Sequence, residues 1–140
     1  MTQTRIAGVI AALPTPFDHH DDVDRAAFIE HGRWCLNHGC DFLNVLGTTG
    51  EANSVSATQR SALMTTAARE LDGSRLMVGT GTPDLETTVG LTRRAFDLGF
   101  AAALVLPPLL LQTGRRRRLV CLVCRARKDD GGDTDPDLPL

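Results

Sequence analysis

The chain reads Gly47-Thr48-Thr49-Gly50-Glu51 directly after an apolar run, Phe42–Leu46. Two adjacent threonines offer hydroxyls and backbone N–H groups suited to a carboxylate, and the flanking glycines let the backbone turn tightly and approach a ligand. In a parallel α/β architecture this is also where ligands sit, at the C-terminal ends of strands. As physics alone, a Thr/Gly turn of this length is more often just a turn. Other groups could do chemistry. Cys121-x-x-Cys124 could be half a zinc site with Cys35 and Cys40 as the other half, but packing at a helix end and a strand start explains the latter pair. His19-His20-Asp21-Asp22 could ligate a metal, although a polar loop and a helix cap are expected there. Gly79-Thr80-Gly81 could cradle phosphate and reads more simply as a turn. The run Arg115–Arg118 could meet phosphates, yet Asp129, Asp130, Asp133, Asp135 and Asp137 follow it, so a solvated tail is expected. No metal and no cofactor is expected.

Composition narrows the chemistry further. The sequence contains no tyrosine, and its only lysine is Lys128, against fourteen arginines. A mechanism that needs a buried amine or a phenolic proton relay has little to draw on. The net charge of -2 argues against nucleic-acid or membrane binding through an overall field. Four cysteines in 140 residues do not suggest a disulfide scaffold, and the polar Met1–Arg5 shows no signal-peptide pattern. A cytoplasmic location is the expectation.

The elements that must position these residues form a repeat. An apolar run of strand length, a loop, an amphipathic helix and a glycine recur. Ile6–Leu13 is the first run, and Asp22 can cap a helix to about Asn37 with Phe28, Ile29, Cys35 and Leu36 inward and Gly39 after it. Phe42–Leu46 precedes the threonine loop. Ser56 with Gln59 is a capping box, Leu63, Met64, Ala67, Ala68 and Leu71 make one stripe, and Gly73 ends that helix. Leu76–Val78 precedes a helix to Leu98 carrying Leu85, Val89 and Phe96, and Ala101–Leu106 is a fourth strand ending at Pro107-Pro108. Strands apolar throughout and alternating with helices imply a parallel sheet, either an open doubly wound sheet or a βα barrel. Spacing does not separate the two.

Motif order does. Ala12-Leu13-Pro14-Thr15-Pro16-Phe17, the Gly47–Glu51 loop, Val78-Gly79-Thr80-Gly81 and Leu104-Val105-Leu106-Pro107-Pro108 resemble, in order and spacing, the dihydrodipicolinate synthase / N-acetylneuraminate lyase family of class I pyruvate-dependent aldolases. The resemblance covers residues 6–108 and implies an α/β fold, a partial (β/α)8 barrel of about four N-terminal βα units. It implies a domain over residues 1–108 and an unrelated tail over 109–140, irregular apart from a helical turn near Leu119–Cys124. The loss of pattern after Pro108 resembles a shifted reading frame, which the coding DNA would show.

The family holds pyruvate, or a substrate that yields it, as a Schiff base on a lysine of the sixth strand. By resemblance, Thr48 and Thr49 would hold the substrate carboxylate, and Thr48 would be a remnant of a proton relay shared with tyrosines. With barrel lysine and tyrosines missing, no complete catalytic set is expected. The chain is then a truncated, inactive member of a lyase family of the 4-hydroxy-tetrahydrodipicolinate synthase type. Alternatively, it is a non-catalytic half-barrel that binds a small 2-keto acid weakly or associates with a full-length homologue. Open strand edges make self-association an expectation as well.

Overall fold

The computed structural model describes residues 6–106 and, as backbone, 122–125. Four strands, β1 (Ile10–Ala12), β2 (Phe42–Val45), β3 (Leu76–Gly79) and β4 (Ala102–Val105), alternate with three helices, α1 (Arg25–Asn37), α2 (Ala57–Glu70) and α3 (Leu85–Asp97). The strands pair in parallel in the order β1-β2-β3-β4. Right-handed crossovers between successive neighbours place every helix on one face of the sheet. A doubly wound sheet would reverse its order at a switch point. Sequential order is what a βα barrel requires, so the predicted fold class, α/β with a partial barrel, holds.

Strand alternation sorts the core. Leu43, Val45, Leu76 and Val78 pack with Phe28, Ile29, Leu63, Met64, Leu91 and Phe100 into one buried cluster between sheet and helices. The register aligns Ala12 with Asn44, Asn44 with Met77 and Met77 with Ala102, so these four share the opposite, concave face.

The helix signals fared unevenly. Ser56 and Gln59 form the reciprocal capping box. Gly39 and Gly99 take left-handed conformations just past α1 and α3, the positions that favour glycine. The cap of α1 is Asp24, whose carboxylate accepts from Ala27 N–H, and not Asp22. Asp18 and Asp22 close a tight loop, reinforced by a bridge between Phe17 and Val23, and this delays the helix by two residues. Asp22 instead accepts from the Gln59 side chain at the start of α2. Gly73 does not stop α2, which ends at Glu70 with Leu71 extended; Gly73 opens a short 3-10 turn.

In α3 the buried face is Thr88, Leu91 and Ala95, while Leu85 is 72% exposed and Val89 38% exposed. The apolar stripe chosen from sequence lies about a quarter turn away from the true one. Small and hydroxylated residues won because Thr88 Oγ1 bonds the Thr82 N–H and the Asp84 carbonyl, which costs nothing to bury. The cap of this helix is Asp84. The Thr87 backbone N–H, followed by the Thr87 side chain, holds its carboxyl below the usual carboxylate range. Gly90 is exposed in the middle of α3, and a Cβ added there would meet nothing within 4 Å. Gly90→Ala should therefore raise stability by about 0.5–1 kcal/mol, read as a higher urea midpoint with unchanged slope.

A fifth strand, β5 (Leu122–Arg125), pairs antiparallel with β4, Ala102 opposite Arg125 and Val105 opposite Leu122. The helical turn expected near Leu119–Cys124 is thus replaced, over Leu122–Cys124, by a strand. The open edge of β4 presents unpaired N–H and C=O groups that a backbone ladder satisfies and a helical turn would not. The rest of the 109–140 tail, with Arg115–Arg118 and Lys128, lies outside the described residues.

Candidate functional site

The Gly47–Glu51 loop is fastened from the end of β1 and by a bond of its own, and the segment that follows it is tied down from α2. Thr15, just after β1, donates its buried hydroxyl to the Gly50 carbonyl at 2.6 Å. Within the loop, Glu51 N–H bonds the Thr48 carbonyl at 3.1 Å. From α2, Arg60 reaches back to the segment that follows it, Ala52 to Val55. Its Nε donates to the Val55 carbonyl at 3.1 Å, one terminal nitrogen to the Gly81 carbonyl at 3.1 Å, and the other to the Ala52 carbonyl. Arg60 is only 4% exposed, and none of the three acceptors is a carboxylate. Burial pushes its guanidinium pKa down, although an arginine stays charged at any physiological pH. One side chain thus ties the segment after β2 to the loop after β3.

These loops enclose a cavity of about 110 Å³. Gly47, Thr48, Glu51 and Ala52 line one side, Gly79 and Gly81 a second, and Leu104 and Leu106 a third. The walls are therefore the C-terminal ends of β2, β3 and β4, the end at which βα barrels place their chemistry. Thr48 and Thr49 are both exposed, and neither hydroxyl is engaged by another group among the described residues. Of the two, Thr48 lines the cavity and Thr49 does not. Leu46, immediately before, adopts a left-handed backbone at φ 53°, as does Glu51 at φ 49°. For residues with a Cβ this is uncommon and mildly strained, and such strain concentrates around ligand loops.

Two residues here escaped the sequence reading. Arg60 is one. The other is Asn44, on the concave face, whose Oδ1 is buried with no hydrogen-bond partner among the described residues. A lone polar residue inside the apolar run Phe42–Leu46 was the available signal. A buried carbonyl oxygen without a donor costs about 1–3 kcal/mol, so it marks a place where a donor is wanted.

The remaining candidates are spent on structure or lie apart. Thr80 is fully buried with its hydroxyl 2.8 Å from that of Thr92, and Thr82 bonds Asp84 and Thr88, so the Gly79–Thr82 turn anchors α3. The His19 and His20 rings lie 3.8 Å apart, tilted by 44°, in an exposed loop, with Asp18 accepting from the His20 N–H. Cys35 is buried and Cys40 half-buried at the far end of α1. Among the described residues no helix is long and apolar enough to cross a membrane.

Comparison with known proteins places this architecture. The Dihydrodipicolinate synthetase family matches residues 5–117. The 4-hydroxy-tetrahydrodipicolinate synthase of Methanothermobacter thermautotrophicus is 33% identical over 105 residues, which is 74% of this chain and 37% of that protein. The enzyme of the same name from Salinibacter ruber is 37% identical over 102 residues, 72% of this chain and 34% of the relative. Among solved structures, dihydrodipicolinate synthase from Agrobacterium tumefaciens superposes with a TM-score of 0.68 at 36% identity, covering 72% of this chain and 36% of its own. The chain thus spans little more than a third of the length of the relatives it matches. With four parallel strands in barrel order, a threonine loop at their C-terminal ends and a match over most of its length, the chain belongs to the dihydrodipicolinate synthetase family.

Proposed function

We propose that the Gly47–Glu51 loop is a carboxylate seat for a small 2-keto acid such as pyruvate, and that this chain alone does not complete the Schiff-base lyase chemistry of its family. The observation that carries the first half is the placement of Thr48. Its hydroxyl, unengaged among the described residues, lies on the cavity at the strand ends, on a loop held by Thr15 and followed by a segment that Arg60 ties to Gly81. A carboxylate accepts hydrogen bonds from hydroxyls and backbone N–H groups at roughly twice the strength of a neutral acceptor. Glu51 on the same rim opposes an anion, which keeps the expected affinity low.

The second half rests on composition. Forming an imine requires a neutral amine to attack the keto carbon and expel water, with a group nearby to shuttle the protons. The sequence offers Lys128, flanked by Arg127 and Asp129, and no tyrosine. A lysine without a perturbing partner has a pKa of about 10.4 and is almost entirely protonated at neutral pH. Thr48 alone holds the substrate end of a relay whose other members are missing. A non-catalytic role as a carboxylate binder follows from the same loop.

Incubation with pyruvate and borohydride, followed by mass spectrometry, should give no adduct; a trapped adduct on Lys128 would overturn the catalytic half. In an NMR titration, pyruvate should bind with a Kd on the order of 1 mM, about -4 kcal/mol. Thr48→Val should weaken it about five- to tenfold through the lost hydrogen bond. Unchanged affinity in Thr48→Val would remove the carboxylate seat and leave the chemistry question untouched.

A further inference from the structure

The C-terminus of α1 places two thiols where a helix end ordinarily places an apolar contact. Gly39 turns left-handed at φ 101°, and the Cys40 N–H bonds back to the Cys35 carbonyl at 3.1 Å. This six-residue closure is the bond of a Schellman end, in which the side chains at its two ends meet. At the end of α3 the equivalent bond joins Phe100 N–H to the Ala95 carbonyl, and there both side chains are fully buried and apolar. At α1 the same two positions are Cys35 and Cys40.

We propose that Cys35 and Cys40 are a reversible oxidation site, closing to an intrachain disulfide by exchange with a low-molecular-weight disulfide of the glutathione type. The backbone closure brings the two Cα atoms into the range a disulfide spans, about 4.4–6.8 Å. Both partners are held before any bond forms. Cys35 is fixed in the helix and buried in the core. The Cys40 carbonyl accepts from the Arg75 guanidinium at 2.6 Å, and the next carbonyl, of Asp41, accepts from Arg75 Nε at 2.8 Å. Holding both ends raises the effective concentration of one thiol at the other.

Access sets the order of events. Cys40 is the half-buried member and Cys35 the buried one, and burial, followed by the neighbouring Cys40, pushes the Cys35 thiol up. Cys40 sulfur attacks one sulfur of the small disulfide and expels the first small thiol, leaving a mixed disulfide. Cys35 sulfur then attacks the Cys40 sulfur of that mixed disulfide and expels the second. Two protein thiols are oxidised, one disulfide is reduced to two thiols, and the two protons pass to the leaving thiolates. His31 Nε2, 3.8 Å from Cys35 Sγ, is placed to relay the second proton from Cys35 to the leaving thiolate.

The test uses the full chain in glutathione redox buffers, quenched with acid, alkylated and digested with trypsin. Cleavage after Arg33 and Arg60 puts both cysteines on one peptide, separate from the peptide Leu119–Arg125 that carries Cys121 and Cys124. The Trp34–Arg60 peptide should be lighter by two hydrogens and unalkylated until reduced. In the folded chain its half-oxidation point should lie at a glutathione ratio about tenfold more reducing than in urea. A mixed glutathione adduct that never closes, two alkylated cysteines under oxidising buffer, or an equal midpoint in urea would each overturn the proposal.

Discussion

Replacing Arg60 with methionine should lower the unfolding free energy by about 3 kcal/mol, because it removes the guanidinium donors from the carbonyls of Val55 and Gly81 and from that of Ala52, which keeps only the Val55 N–H. Methionine keeps most of the apolar stem and removes the fork, so lost packing is not the main cost. Arg60→Lys should recover only part of this, about half. An ammonium is a single point on a flexible stem, whereas the three acceptors lie around a planar guanidinium. Urea unfolding monitored by the single tryptophan, Trp34, would measure both variants. A loss of less than about 1 kcal/mol in Arg60→Met would mean that water replaces the donors, and that Arg60 does not hold the two loops together. The charge is part of the argument. A buried cation facing only neutral carbonyls is tolerated because three oxygen dipoles point at it, and a neutral side chain wastes all three.

Arg60 also shows where sequence reading stops. In Ser56–Leu71 an arginine between capping residues and an apolar stripe reads as a solvated helix position. Its burial is created by Val55 and Ala52 on one side and by Gly81, twenty-one residues on, on the other. No periodicity within α2 encodes that. What was legible depended on local physics: the Ser56–Gln59 box, Gly39 and Gly99 past their helices, and the predominantly apolar strands. Those signals are satisfied within one or two turns of chain. The α3 stripe was misassigned because Leu85, Val89 and Phe96 match helical spacing as well as Thr88, Leu91 and Ala95 do, and only the sheet decides between them. β5 was missed for a related reason, since the edge of β4 that it completes lies some twenty residues away in sequence and no local pattern announces that pairing. The threonine loop was found by resemblance. Thr15, which holds it, and Arg60, which ties the segment behind it to the next loop, came only from three dimensions.

The second large effect lies at Gly79. A Cβ there would stand 2.1 Å from the Leu46 carbonyl oxygen and 2.9 Å from its carbon, both backbone atoms. No side-chain rotation relieves a backbone clash, so either β3 or the end of β2 must move. The end of β2 is the less free of the two. Leu46 is almost fully buried and already held left-handed, and the next two residues are Gly47 and Thr48 on the cavity. Gly79→Ala should therefore cost more than about 3 kcal/mol, a fall of about 12 °C or more in Tm for a domain of this size, and should abolish pyruvate-induced shifts at Thr48 in whatever fraction remains folded. Gly73→Ala is the control. Its Cβ would meet the Gly99 carbonyl at 3.1 Å, a contact that a few tenths of an ångström relieve, and it precedes β3, at the opposite end of the strand from the cavity. If the two variants unfold alike, the close passage of Leu46 over β3 is not what sets the shape of the site. If Gly79→Ala alone collapses, the left-handed turn at Leu46 and the missing Cβ at Gly79 are one device, shaping the cavity by letting one strand end cross directly over its neighbour.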